Sequence, residues 1–227
     1  MKYNNIKQAK FISRPNRFIA YVEIDGKKEI CHVKNTGRCK ELLIPGVKVF
    51  VQESDNEIRK TKYDLITVCK GHRLVNIDSQ VPNKVFFEWL LKDNLIKNIT
   101  SIKSESTYGS SRFDFYIETA DGRKIFIEVK GVTLEQNGVA MFPDAPTERG
   151  VKHITELCRC IDDGYEAYIV FIIQMKDVLY FAPNDVTQKA FGDALRVASD
   201  QGVNIIAIDT WVTENSISAG DYVDVRL

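Results

Sequence analysis

Residues 112–130 read Arg-Phe-Asp-Phe-Tyr-Ile-Glu-Thr-Ala-Asp-Gly-Arg-Lys-Ile-Phe-Ile-Glu-Val-Lys, which is two β-rich runs around an Asp-Gly turn. The stretch predicts a hairpin with a three-residue loop at 120–122, because Gly122 then occupies the loop position that needs a left-handed backbone. This register pairs Glu118 with Lys124, two opposite charges. A slip of one residue would mix the two faces of the hairpin. The register makes one face wholly apolar, with the cross-strand pairs Phe113–Val129, Phe115–Ile127 and Ile117–Ile125.

The same register brings two carboxylates together. Asp114 faces Glu128, and Lys130 follows Glu128 on the same face two residues on. Opposed carboxylates repel each other, and Mg²⁺ (or Mn²⁺), bound through one or two carboxylates plus water and phosphate oxygens, would remove that repulsion. A neighbouring lysine can orient or help deprotonate the attacking water, or stabilise developing charge. The set predicts metal-assisted phosphodiester hydrolysis; the alternative is an ordinary solvated strand face.

The charges of the chain are unevenly distributed. The 227 residues carry 31 Lys and Arg and 31 Asp and Glu, a net charge of zero, which excludes a histone-like protein that binds nucleic acid by bulk charge. Residues 1–80, however, hold 16 basic and 9 acidic side chains, and residues 81–227 hold 15 and 22. Such asymmetry indicates contact with nucleic acid or with a membrane.

A membrane segment and a disulfide framework are both unexpected. The amino end, residues 1–11, is polar and mixed, and the longest apolar run, 168–173, is far shorter than a span of about 20 residues. The five cysteines are odd in number and show no CxxC spacing, so we expect reduced structural thiols. The composition predicts a cytoplasmic protein without membrane contact and leaves an oligomer possible.

Residues 1–80 predict a small β domain. A five-stranded OB-like barrel fits the number of short strands, and another small β domain is the alternative. No strand is assigned to the polar amino end. The β-rich runs, separated by turn signals, are 18–24, 29–33, 47–51, 65–69 and 74–77.

Residues 81–227 predict a mixed α/β domain. A helix over 84–91 would be capped by Asn83, the helix from 148 by Thr147, and the helix over 184–201 by Asn184 or Asp185. The remaining predicted elements are strands at 113–118, 124–130, 166–174 and 178–182, helices at 148–163 and 184–201, and a final strand at 203–209.

Two resemblances extend this reading. A hairpin between helices that carries Asp114, Glu128 and Lys130 resembles the PD-(D/E)xK nuclease-like superfamily, although Phe113 stands where its usual proline would be. Four further motifs resemble the sugar fermentation stimulation protein A family: residues 32–43 with Pro45-Gly46, 104–115, 128–134 and 142–153.

The family resemblance implies an α+β protein of two domains. These are an OB-like barrel over 1–80 and a restriction-endonuclease-like α/β domain over 81–227. It also implies sequence-nonspecific DNA binding and a regulatory link to sugar use, notably of maltose.

The predicted DNA contacts lie mainly on one basic loop. Its glycine, Gly37, with polar and basic neighbours, suits close approach to a phosphate, and a structural turn with solvated charges is the alternative. The candidates in the first domain are Arg14, Arg17, Lys34, Asn35, Thr36, Arg38 and Lys40; those in the second are Arg112, Arg149 and Lys152.

Several residues near the hairpin keep two interpretations. Glu105 is a further metal ligand or a surface charge, and Arg112 contacts phosphate or pairs with an acid. Glu88, on the preceding helix, is an extra site carboxylate or a partly buried helix residue. His153 alone on a helix is usually structural; the family resemblance favours proton transfer or phosphate binding, by analogy.

The combined hypothesis is a DNA-binding protein with Mg²⁺-dependent phosphodiester cleavage. Asp114, Glu128 and Glu105 would hold the metal, and Lys130 and His153 would assist. The rival hypothesis is a regulatory protein that uses a nuclease core only to grip DNA. A third, a module that binds small molecules or proteins, would follow if the basic surplus were scattered.

Overall fold

The amino-terminal part folds into a closed barrel. A computed structural model describes residues 1–35, 37–56, 58–92 and 95–227. The sheet order is β3-β2-β1-β4-β5-β6, and parallel pairing of β3 with β5 closes the first five strands into a ring, which confirms the predicted five-stranded OB-like barrel. The strands are β1 (Ile6–Ser13), β2 (Ile19–Ile24), β3 (Lys27–Val33), β4 (Lys48–Glu53), β5 (Tyr63–Lys70) and β6 (Arg73–Asn76).

Four of the five predicted strands lie in the ring, as β2 to β5, but its remaining strand is not the one that was predicted. β1 lies in the polar amino end, where no strand was expected, and it pairs with both β2 and β4. Its inward residues Ala9 and Phe11 are buried and its outward residues Gln8 and Lys10 are exposed. Since one inward residue is only an alanine, the alternation carries little hydrophobic signal. β6, by contrast, pairs only with β5 among the described strands and extends a hairpin beyond the ring.

The carboxy-terminal part is built on a six-stranded sheet of order β15-β14-β12-β9-β8-β7. A small sheet, β10-β11-β13, lies beside it. The elements are α1 (Pro82–Leu90), β7 (Ile99–Tyr108), β8 (Ser111–Thr119), β9 (Lys124–Val132), β10 (Leu134–Gln136), β11 (Val139–Phe142), α2 (Glu148–Asp162), β12 (Glu166–Ile173), β13 (Tyr180–Pro183), α3 (Asp185–Asp200), β14 (Asn204–Val212) and β15 (Ile217–Val223).

The predicted helices are present, and one predicted cap is wrong. Thr147 caps α2 by accepting a hydrogen bond from the Gly150 amide at 2.9 Å, and α3 begins at its predicted cap Asn184. α1 begins without a side-chain cap among the described residues. Asn83 lies inside its first turn and donates its side-chain amide to Asp114.

The strands that sequence reasoning missed are the edges and the small sheet. β7 and β15 form the two edges of the large sheet, so β14 is not the final strand as predicted. Edge strands carry polar residues on exposed positions, as β7 does along most of its length, which weakens the hydrophobic pattern. Of the small sheet, only the third strand was predicted, near 178–182.

The hairpin has the predicted loop and most of the predicted register. Gly122 has φ +86°, and the ladder contains the pairs Phe115–Ile127, Tyr116–Phe126, Ile117–Ile125 and Glu118–Lys124. The ladder ends there, so the predicted pairs of Asp114 with Glu128 and of Phe113 with Val129 are wrong. The Phe113 ring lies 5.6 Å from that of Phe126, on the α2 side of the sheet. Two strands that were expected to stay paired therefore separate at Asp114.

Two further expectations concern the chain as a whole. All five cysteines are described, and they are free, four of them buried. In the part of the chain that the structure describes, no helix is both long enough and apolar enough to cross a membrane.

Candidate active site

Asp114 occupies the point where β8 separates from β9. Its Oδ2 accepts the backbone N–H of Val129 at 2.7 Å, a group that the ladder would otherwise have given to a carbonyl. Its Oδ1 accepts from the Asn83 amide at 2.7 Å, so α1 also positions it. The carboxylate therefore takes the place of a backbone pair, and this is the physical reason that the predicted register stops two residues early.

Glu128 is almost completely buried, with 3% of its surface exposed. One oxygen, Oε1, is bonded to both the Lys130 ammonium and His153 Nδ1, the latter at 2.5 Å. The other, Oε2, is buried and meets no hydrogen-bond donor among the described residues; we call it the open oxygen of Glu128. A buried acceptor without a partner is costly, so this atom marks a place for a ligand.

The two carboxylates differ in their proton affinity. Burial, and after it the charge of Glu128, raises the pKa of Asp114 above its usual range. Burial also raises the pKa of Glu128, but the hydrogen bond from His153 and the charge of Lys130 outweigh it and hold that pKa below its usual range. Glu128 is thus the ionised partner, and a cation near Asp114 would favour loss of its proton as well.

The donor set fits a hard divalent cation held by few protein ligands. Both candidates supply oxygen, which Mg²⁺ and Mn²⁺ prefer, and Mg²⁺ commonly uses one or two carboxylates with water and phosphate completing the shell. Within the described residues, no group of three or more His, Cys, Asp or Glu could hold a metal by itself. Asp114 and the open oxygen of Glu128 would therefore leave most positions for water and substrate.

Glu105 lies at the rim of this site. The β7–β8 register places it opposite Asp114, and both line one cleft with Asn83. Its backbone is left-handed, with φ +55°. Its side chain is 68% exposed, and its Oε1 lies 3.6 Å from Arg112, which is also largely exposed. Glu88 lines the same cleft and binds the amino terminus at 2.9 Å.

His153 contacts Glu128 from α2 and is itself held by Arg149. His153 is 4% exposed, and its Nε2 accepts from Arg149 Nε at 3.2 Å. Since Nε2 accepts, the ring proton lies on Nδ1 and is donated to Glu128. The third predicted residue of this helix, Lys152, is exposed and donates to the Ser110 carbonyl at 2.9 Å.

The basic loop of the barrel is organised by Arg14. Its guanidinium donates to the backbone carbonyls of Arg17, Asn35, Gly37 and Arg38 at 2.6–2.9 Å. Asn35 is buried and donates to the Ile77 carbonyl at 3.0 Å. The two terminal nitrogens of Arg14 and the side-chain amide of Asn35 are therefore engaged within the protein. Thr36 lies outside the described residues.

The other predicted DNA contacts of the barrel divide into paired and exposed groups. Lys34 lies 3.2 Å from Asp64 and 3.7 Å from Asp78. Arg17, Arg38 and Lys40 are exposed, and the three line one groove. The Arg17 guanidinium also stacks on Phe18, 4.8 Å from the ring centre. A surface basic enough to meet phosphates is thus present beside the loop.

Comparison with known proteins identifies the family. A family model described as the sugar fermentation stimulation protein RE domain matches residues 80–216, and one described as the SfsA N-terminal OB domain matches residues 12–77. This chain belongs to the SfsA family. The two-domain fold, with an OB-like barrel and a restriction-endonuclease-like domain, is confirmed.

Relatives in this family match the whole chain. Sugar fermentation stimulation protein homologues of Clostridium beijerinckii and Desulfitobacterium hafniense are 65% and 68% identical over 227 residues, covering 100% of this chain and 100% and 99% of theirs. The solved structure of Pyrococcus furiosus SfsA in complex with Ca²⁺ is 31% identical, with a TM-score of 0.90, and the match covers 100% of this chain and 98% of that one.

The SfsA site contains one residue that sequence reasoning placed in another role. Asn83 holds Asp114, but an asparagine at the start of a helix is first interpreted as a cap. Only its position beside an isolated acid could have distinguished the two roles, and that proximity joins residues 31 positions apart in the chain.

Proposed function

We propose that this SfsA protein binds DNA without sequence specificity and hydrolyses phosphodiester bonds with Mg²⁺ or Mn²⁺. The observation that carries the proposal is the open oxygen of Glu128, buried beside Asp114 and Lys130. Most buried polar oxygens in native proteins have a hydrogen-bond partner, and this one lies beside a second carboxylate and a lysine. The Ca²⁺ complex of the Pyrococcus furiosus relative supports use of a divalent cation, since Ca²⁺ and Mg²⁺ both take oxygen ligands.

Each residue of the proposed site has a role that follows from its contacts. Asp114 and Glu128 would hold the metal, which when bound supplies Lewis acidity and lowers the pKa of a bound water. Lys130, in contact with Glu128, would orient the attacking water or stabilise the charge that develops on the phosphate. His153 would keep Glu128 turned so that its open oxygen faces the metal. Glu105 at the rim would contribute a further oxygen.

The proposed DNA contacts lie on both domains, which we divide between residues 80 and 81. Arg17, Arg38 and Lys40 would meet phosphates on the barrel groove. On the second domain the exposed candidates are Arg112, Arg149 and Lys152. Contacts of this kind give little sequence preference and strong salt dependence. The link to maltose use rests on the family resemblance alone. Such regulation would operate through DNA binding in the cytoplasm.

One observation favours a second candidate function, a regulatory protein that grips DNA without cutting it. Both oxygens of Asp114 already accept hydrogen bonds, and the described residues hold no third ligand close enough to complete a metal group. A nuclease fold that had lost catalysis would keep such an aspartate, with both oxygens bonded to other groups of the protein.

Cleavage assays with matched variants separate the two functions. Purified protein is incubated with single-stranded and duplex DNA in Mg²⁺, Mn²⁺, Ca²⁺ or EDTA. Asp114→Asn and Glu128→Gln should each lower the cleavage rate by at least ~100-fold, because each removes a metal ligand. The control is Asp209→Asn, which alters a carboxylate that is also buried, 5% exposed, and bonded to Lys176 at 2.8 Å. DNA binding with no cleavage in any metal would establish the regulatory alternative instead.

A further inference from the structure

One amide of the barrel loop, that of Arg38, points toward a carboxylate of the other domain. While Arg14 draws together the loop carbonyls, the Arg38 N–H donates to Asp144 Oδ2 at 2.8 Å, across 106 residues of sequence. The neighbouring Gly37 N–H donates to Asn35 Oδ1 at 2.7 Å. The Gly37 amide is therefore held within the loop, whereas the Arg38 amide is directed at an anionic oxygen, as amides that contact phosphates are.

Gly37 is required by this contact. A Cβ added at Gly37 would overlap the Asp144 carboxylate and the Asn35 side-chain oxygen. The loop thus leaves room for an acidic oxygen directly over its backbone, and the exposed side chains of Arg38 and Lys40 add positive charge beside it. A carboxylate and a phosphate present similar anionic oxygens to such a surface.

The contact lies where two grooves meet. One groove runs over the barrel surface and is lined by Arg17, Gly37, Arg38 and Lys40. The other is a cleft of about 400 Å³ between the domains, bounded on one side by 142–147, and Arg17 and Gly37 line it too. Its far wall includes Gly131, which directly follows Lys130. Asp144 therefore stands between the basic groove and the neighbourhood of the candidate active site.

We propose that the Arg38 amide, above the bare backbone of Gly37 and beside the Arg38 and Lys40 side chains, binds a phosphodiester group of single-stranded nucleic acid, and that Asp144 occupies this anion site in the free protein. A phosphate of the strand replaces the Asp144 carboxylate, and the rest of the strand continues along the cleft. Single strands are the usual ligands of OB-fold grooves with basic side chains, and the barrel groove here is lined by Arg17, Arg38 and Lys40. The inference rests on the proposed DNA binding; it adds that the bound form is a single strand and that Asp144 competes with the strand for the site.

Binding without metal tests the proposal apart from cleavage. Fluorescence anisotropy with a labelled oligothymidylate is measured in EDTA on the full chain. Asp144→Asn should bind about fivefold more tightly, because the strand no longer competes with an internal anion. The control is Asp193→Asn, which removes one exposed charge paired to Lys189 at 2.6 Å, and should change the affinity less than about twofold, as expected of a screened surface charge. Adding Gly37→Ala to Asp144→Asn should abolish the gain, and a duplex of equal length should show none.

Folding is checked so that every outcome is decisive. Asp144→Ser is measured beside Asp144→Asn, and thermal unfolding shows which variants are native. A native variant that binds the strand no more tightly than the Asp193→Asn control would overturn the competitor role. Tighter binding without any cleavage in metal would support this site while refuting the proposed hydrolysis. Normal cleavage with unchanged binding would refute this site alone.

Discussion

Asp64 in the barrel and Glu128 in the carboxy-terminal sheet are two carboxylates with the same burial and different surroundings. Their side chains are 5% and 4% exposed, and each contacts a lysine and a histidine. Asp64, however, also receives both ends of the Arg59 guanidinium, at 2.7 and 2.9 Å, one on each oxygen.

The difference separates a structural ion cluster from a site. The charged neighbours of Asp64 complete both of its oxygens and hold its pKa at about 2 despite its burial. The neighbours of Glu128 all meet one oxygen and leave the open oxygen bare. Burial and charge alone would rank the two residues together; only the count of partners for each oxygen distinguishes them.

The largest effect should come from breaking the completed cluster. Asp64→Asn removes the charge that the Arg59 guanidinium contacts at both ends and leaves Lys34 with Asp78 alone. It should lower the free energy of unfolding by about 3–5 kcal/mol, measured by urea denaturation. The control, Asp25→Asn, lies on an exposed turn with φ +50°, which asparagine tolerates. It should change stability by less than about 0.5 kcal/mol. If Asp64→Asn lowered the free energy of unfolding by less than about 1 kcal/mol, the cluster would stabilise the protein no more than exposed surface ion pairs do.

Metal should act only on the incomplete carboxylate. In Mn²⁺ at 100 times its Kd, the wild-type protein should gain about 2.7 kcal/mol of stability, seen as a rise in the thermal midpoint. Glu128→Gln should show no rise in the thermal midpoint, because the glutamine amide has no negative charge and only one oxygen to offer the metal. Asp64→Asn, although less stable, should keep the full increment. An equal rise in Glu128→Gln would show that the metal binds elsewhere.

The histidines of the two clusters should differ as well. His153 orients Glu128, so His153→Ala should weaken Mn²⁺ affinity about tenfold, as loss of a group that orients a metal ligand does. His153→Asn, whose amide can donate to the same oxygen, should restore part of it. His32 contacts Asp64 at 3.1 Å and is one of several partners, so His32→Ala should leave metal affinity unchanged. Titration calorimetry measures all three; equal affinities would make His153 a packing residue only.

The smallest effect is a pH dependence of opposite sign in Asp114 and Asp64. Because burial raises the pKa of Asp114, its ionisation costs stability as pH rises through that raised pKa. Asp114→Asn in EDTA should therefore be slightly more stable than wild type at neutral pH. The gain should vanish in acid, below the ordinary carboxyl value of about 3.9, where Asp114 is protonated in both states.

Asp64 follows the other sign. Its pKa of about 2 makes its contribution fully present above the ordinary aspartate value and lost as pH falls toward 2. Chemical unfolding followed from pH 7 into acid should show stability falling through this window in wild type and not in Asp64→Asn. A gain for Asp114→Asn that persists in acid would contradict the assignment to ionisation.

The sequence by itself determined what depends on neighbours along the chain. The hairpin loop at Gly122, its register from Glu118 to Phe115, and the caps at Thr147 and Asn184 all follow from turn chemistry and from alternation over a few residues. The closed barrel was also predicted in class, although its first strand was hidden by a weak alternation.

Only the tertiary structure decided what the polar groups do. Asp114 accepts the N–H of Val129 and so ends the ladder. Arg14 donates to carbonyls of a loop, and the Arg38 amide donates to Asp144 of the other domain. A sequence pattern shows which residues can ionise or hydrogen-bond, but the partner of each oxygen is set by distant segments, which for Arg38 and Asp144 lie 106 residues apart. Local periodicity carries no record of that pairing, and in this protein the pairing separates a structural carboxylate from a candidate catalytic one.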